Sequence, residues 1–185
     1  IEKYRYINTE HDWYDYVIEH FIEKVHDLGI SIDKKDVQFS GFYSQGDGAS
    51  FCGTFDEQLF IEMHDLDKQY PAAYYLACID DLHIIPYRHP SMYSHESTIS
   101  FEVNSYALPS DDDDLREVVL TSMIEQFEHE VEGLKAEVTD ICRGYMRDLY
   151  NELREEYEHL TSDEAVWEAI QCNGLEEEHE DCCTC

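Results

Sequence analysis

The chain has 185 residues, with 43 Asp plus Glu against 12 Lys plus Arg, for a formal net charge of −31. So few bases, with no basic stripe, argue against direct contact with nucleic acid or an anionic membrane, where affinity comes from Lys and Arg neutralising phosphates. Hydrophobic content of 43% and 14 tyrosines argue equally against a disordered chain.

Length favours one domain that needs no disulfide to fold. Seven cysteines lie at 52, 78, 142, 172, 182, 183 and 185. The opening IEKYRYINTEHDWYDY has no apolar core, so no signal peptide is expected, and no run comes near the roughly 18 residues a spanning helix needs. The reading is a soluble cytoplasmic protein with reduced thiols. Solubility needs a net charge of only about 2–8, and the surplus repels itself. Salt, a cation or a basic partner should offset it.

Thr9 and Asp12 resemble a capping box, and Trp13, Val17, Phe21, Val25 and Leu28 recur at helical spacing, so a helix is expected over 10–28, stopped by Gly29. Residues 36–55 alternate about a GDG turn and predict a β-hairpin. EQLFIEM (57–63) and AAYYLACI (72–79) are open between strand and helix. HIIPYRHPSMYSHE holds two prolines and reads as an irregular connection; Ser97–Tyr106 reads as a strand. DDDD at 111–114 marks a boundary and suits a helix N-terminus. Beyond it Leu120, Ile124, Phe127, Val131, Leu134, Val138, Ile141 and Tyr145 form a heptad-like seam. The seam is either a core-facing stripe or a homodimer interface over 120–145. A helix from 113 to 159 would run about 70 Å at ~1.5 Å per residue, so a kink, a protrusion or a dimer is expected. Thr161 or Ser162 caps a last helix ending at Asn173-Gly174, and an acidic Cys-rich tail follows. The fold class is α+β: an antiparallel sheet with an N-terminal helix packed on it, and a long-helix C-terminal half. Its parts are a core over 1–110, an acidic helical region over 111–174 and a mobile tail over 175–185.

The blocks FSGFYSQGDGASFCG (39–53), YSHE (93–96) and LYNELREEYEHLTSDEAVWEAIQCNG (149–174) resemble a group of uncharacterised phage and prophage proteins. That group shares FSGF-x-SQGDGA-x-F-x-G and EY-x-x-LTSDEA, and some members carry the label "antitoxin of toxin–antitoxin stability system". The resemblance spans most of the chain and implies a phage origin. It supplies no catalytic set, and the CCTC ending departs from it.

Ser44, Gln45, Asp47 and Ser50 offer polar groups for a ligand loop, though the lysine of a P-loop is missing. The alternative is a turn whose glycines meet backbone demands. His89, His95 and Glu96 are candidate divalent-metal ligands without a known spacing; otherwise they are ordinary hydrogen-bonded side chains. His179, Cys182, Cys183 and Cys185 suggest either a zinc site or an oxidisable tail. Cys52 reads as a small buried hydrophobe, and no nucleophile motif such as GxSxG appears.

The remaining constellation is acidic. Residues 111–185 hold 24 acids and 5 bases, against 19 and 7 over residues 1–110. Glu125, Glu128 and Glu132, then Asp148, Glu152, Glu155 and Glu156, recur at three or four along one helix, which sets neighbours about 5–6 Å apart. Such a row is a solvated face or a mimic of nucleic-acid phosphates. The expectation is a phage-encoded inhibitor that binds a basic host nuclease or other nucleic-acid enzyme, without a cofactor or catalytic residues. The alternatives are a small metal-dependent enzyme at the SQGDG loop and His89/His95, and an antitoxin-like binder of a basic toxin.

Overall fold

Gly29 halts the first helix because its φ of +84° is open chiefly to glycine, and because backbone atoms of Phe60 and Asp56 leave no room for a Cβ. The computed structural model describes residues 1–105 and 118–175. The DDDD run and the His179/Cys182–Cys185 cluster lie outside them. Two units form: residues 18–150, and residues 1–17 with the chain from Asn151 on. The fold is α+β, as expected.

The first helix, α1 (Asp15–His26), is shorter than expected. Thr9 does not cap it. Thr9 lies in a separate 3-10 turn and its hydroxyl donates to Tyr6 O at 3.0 Å. From residue 18 on, α1 packs on a hairpin of β2 (Val37–Phe39) and β3 (Ala49–Phe51), where Phe21 and Phe51 ring centroids lie 5.7 Å apart. The register is Val37↔Phe51 and Phe39↔Ala49. Two short strands, β1 (Ile30–Ser31) and β4 (Thr54–Phe55), pair antiparallel beside it.

Both ambiguous apolar runs are helices. In α2 (Glu57–Met63) the Asp56 side chain accepts the Leu59 N–H at 2.9 Å; α3 (Pro71–Cys78) has proline in its first turn. Each ends on an aspartate at positive φ, Asp65 (56°) and Asp80 (59°), and the next N–H reaches back to Ile61 O or Leu76 O.

The expected irregular connection is in part a strand. Leu82–Arg88 is β5, paired antiparallel with β6 (Ile99–Ser105) through seven positions. Pro86 is tolerated for a directional reason. The Ile84 N–H points away from β6, to Glu57 Oε1 at 3.0 Å, while the His89 N–H points toward it, to Thr98 O at 2.8 Å. Position 86 shares the outward side of 84, so its missing N–H removes no ladder bond. Phe55 meets both Phe60 and Phe101 edge-on, at 5.5 and 6.1 Å, joining β4, α2 and β6.

The long helix α4 (Val118–Leu160) is continuous over 43 residues. Its buried stripe runs Val131, Leu134, Val138, Cys142, Met146, Leu149 and Leu153. That stripe returns at intervals of eleven (131, 142, 153), the period of a nearly straight helix rather than of a left-handed coiled coil. Ile141 and Tyr145 are therefore only half-buried, while Val131, Leu134 and Val138 are already buried within one chain. Gly133 lets α4 approach the Tyr70 ring, which would lie 2.7 Å from a Cβ there. Nearby, Glu130 is 8% exposed and its Oε2 accepts the Ala72 N–H at 2.7 Å, capping α3 from another element. Glu130→Ala should cost about 1–2 kcal/mol, read as a lower denaturation midpoint. An unchanged midpoint would show that the cap contributes nothing.

In the other unit, Ser162 Oγ accepts the Ala165 N–H at 3.3 Å and opens α5 (Asp163–Cys172). Arg5 donates to Thr161 O at 3.1 Å and pairs with Asp163, and Asn8 Nδ2 donates to Leu160 O and Ala165 O. Trp13 and Tyr157 rings meet at 5.6 Å. The LTSDEA block is thus the end of α4 and the start of α5, and its carbonyls at Leu160, Thr161 and Ala165 are taken up by the N-terminal segment.

Candidate functional site

The first two sequence blocks meet in space. Gly46, at φ +97°, lies under the Tyr93 ring, with a Cβ there falling 3.3 Å from it. A Cβ on Gly48 would fall 2.9–3.0 Å from His95 and from Ser94 O. Ser40 Oγ donates to Ser94 O at 3.4 Å, and the Ser40 N–H to Gly48 O at 3.0 Å. The glycines of SQGDG therefore do more than turn the chain; they let the hairpin loop lie against the YSHE segment.

Within the loop, Asp47 Oδ2 accepts the Tyr43 and Ser44 N–H groups at 2.9 and 2.7 Å, closing the turn. Ser44 and Gln45 are exposed, and Tyr43 is 76% exposed. Ser50 is fully buried, not exposed with the rest of the loop, and accepts from Arg88 Nη1 at 2.7 Å. The same guanidinium donates to Gln38 Oε1 at 2.9 Å and to Asp36 O at 2.9 Å. Arg88 clasps the hairpin to the end of β5, and none of these partners is a carboxylate.

The histidine candidates do not converge. His89 Nε2 meets Ser100 Oγ at 2.9 Å, whereas His95 Nδ1 meets Ser97 Oγ at 3.0 Å and Glu96 Oε2 at 3.0 Å. Glu96 also faces Arg147 at 3.8 Å. No group of three or more His, Cys, Asp or Glu side chains comes together among the described residues. Cys52 lines a separate cleft of about 430 Å³ with Asp33 and Asp36. Burial pushes its thiol up, and Arg88 beside it offsets part of the rise. A thiol held protonated in this way is a poor nucleophile at neutral pH.

The acids of α4 divide by exposure. Glu125, Glu128, Glu132, Asp148 and Glu155 are exposed; Glu152 and Glu156 are half-buried. Asp140 joins the exposed set. The helix's bases over 124–150 are engaged elsewhere: Lys135 with Glu102 at 3.6 Å and Glu132 at 3.9 Å, Arg143 with Ile99 O at 3.5 Å, and Arg147 with Glu96. Glu125, Glu128, Asp140 and Asp148 have no ion-pair partner among the described residues.

A family model, "Domain of unknown function (DUF8835)", matches residues 13–163. The chain belongs to this family. The match covers the hairpin, the YSHE segment and all of α4, and it closes at Asp163, the first residue of α5. No curated protein and no solved structure matches the chain. No helix among the described residues is long and apolar enough to cross a membrane.

Sequence reasoning missed Arg88 and Glu130. A signal for the first was available: Arg88 is the one Lys or Arg between Lys68 and Arg116. Glu130 carried none, since it stands among exposed glutamates and differs only in facing α3.

Proposed function

We propose that this DUF8835 member is a phage-borne acidic binding protein. It occupies the phosphate-binding surface of a basic nucleic-acid enzyme of the host and inhibits it. The observation that carries this reading is the separation of charge on α4. Over 124–150 its bases reach toward β6 and the turn before it, with Lys135 also meeting Glu132, while Glu125, Glu128, Asp140 and Asp148 face solvent without a base.

Magnitudes shape the mimicry. From Glu125 to Asp148 the helix rises about 35 Å at ~1.5 Å per residue, close to the ~34 Å of one DNA turn. Five exposed acids over that length give one charge about every 9 Å, whereas duplex DNA carries one per ~1.7 Å. The helix can therefore stand in for selected phosphates and not for the full charge of a duplex. Complementary charge would act first on the association rate.

Affinity capture from a bacterial host, followed by binding measurements, tests the reading. Affinity for the captured enzyme should fall tenfold or more between about 50 and 200 mM salt. The triple variant Glu125→Lys, Glu128→Lys, Glu132→Lys should bind on the order of a hundredfold more weakly. Its stability should move by less than about 0.5 kcal/mol per site, because these side chains are exposed. Salt-independent binding, or full affinity in the triple variant, would refute mimicry. Capture of a small basic toxin instead of an enzyme would favour the antitoxin-like role.

A further inference from the structure

We propose that the cleft where β5 meets the hairpin binds a small oxyanion, a phosphate or carboxylate group. The cleft measures about 200 Å³ and is lined by Gln38, Arg88, His89, Ser91, Tyr93 and Thr98, together with Pro90. No carboxylate lines it, in a chain where 43 of 185 residues are acidic. A second cleft, beside Cys52, has Asp33 and Asp36 in its wall and would repel an anion.

Arg88 supplies the charge. It donates to an amide, a hydroxyl and a backbone carbonyl and lies against the Cys52 thiol, and all of these partners are neutral. A guanidinium has five N–H donors, so donor capacity is left over. By contrast Arg5, Lys34, Lys35, Lys135, Arg147 and Arg154 each face a carboxylate, and Arg143, whose partner Ile99 O is also neutral, does not line the cleft. A half-buried cation with only neutral partners is the feature that an incoming anion would complete.

His89 and Ser91 bring further donors. His89 Nε2 is engaged with Ser100 Oγ at 2.9 Å, and in the tautomer where Ser100 donates, or in the imidazolium an anion favours, Nδ1 carries an N–H. Ser91 Oγ accepts the Tyr93 N–H at 3.1 Å and keeps its own O–H to donate. Size limits the occupant: small-molecule pockets run to about 300–1,000 Å³, so this cleft takes one phosphoryl or carboxylate group rather than a whole nucleotide. The field of the −31 chain opposes any anion, which points to an affinity near millimolar.

The test is an amide NMR titration of the full chain with inorganic phosphate and, separately, with acetate, against sodium chloride at matched ionic strength. Saturable shifts confined to Gln38 and residues 88–98 are expected. His89→Gln and Ser91→Ala leave the Arg88 clasp intact and should each weaken the effect about tenfold. Saturation at lower phosphate assigns a phosphoryl ligand; saturation at lower acetate assigns a carboxylate, such as a peptide terminus. Shifts equal to those in chloride, shifts spread over the surface, or shifts untouched by either substitution would overturn the proposal.

Discussion

Replacing Gly29 by alanine is expected to lower stability by about 3 kcal/mol or more. Two costs add. A residue with a Cβ is strained at φ +84°, and that Cβ would stand 2.7 Å from Phe60 N and 2.9 Å from Asp56 O, which are backbone atoms unable to rotate away. Gly174 isolates the first cost. It has φ +64° with nothing within 4 Å of a Cβ, so Gly174→Ala should cost only about 1 kcal/mol. Urea denaturation midpoints compare the two. Equal losses would mean that the approach of α2 to the end of α1 is not as close as described.

Arg88→Met should cost about 2–4 kcal/mol, because it leaves a fully buried Ser50 hydroxyl without its donor and the Asp36 carbonyl with only the Cys52 N–H. Arg88→Lys should recover part of this, since an ammonium keeps the charge but lacks the fork that spans three acceptors. The loss should be local as well as global. Amide hydrogen exchange in β2 and β3 should quicken more than in α4. Uniform quickening, or none, would remove Arg88 from the role of clasp.

The hairpin was legible because alternation about glycines is a local signal, and the α5 start because Ser162 caps it within three residues. The two apolar runs at 57–63 and 72–79 needed more. Asp56 and Pro71 marked their starts, yet their ends rest on Asp65 and Asp80 at positive φ, where glycine would be the usual sign. Pro86 concealed β5, since the direction of a missing N–H depends on strand pairing and is invisible in sequence. The site was legible only in pieces. SQGDG and YSHE each stood out as blocks, but their meeting is a contact between residues some fifty positions apart. Arg88, Glu57 and Glu130 act by the same kind of long-range bond, so no periodicity could reveal them.

The eleven-residue return of the buried stripe on α4 separates two kinds of evolutionary freedom. The exposed acids make few internal bonds, so lineages can rewrite that surface, even its sign, at little cost to folding. Helix length has no such latitude. One inserted residue near position 140 would turn everything downstream by about 100°, carrying Cys142, Met146 and Leu149 out of the interior and charged neighbours into it. Among relatives, this helix should therefore vary in what it displays and hold constant in how many residues it counts.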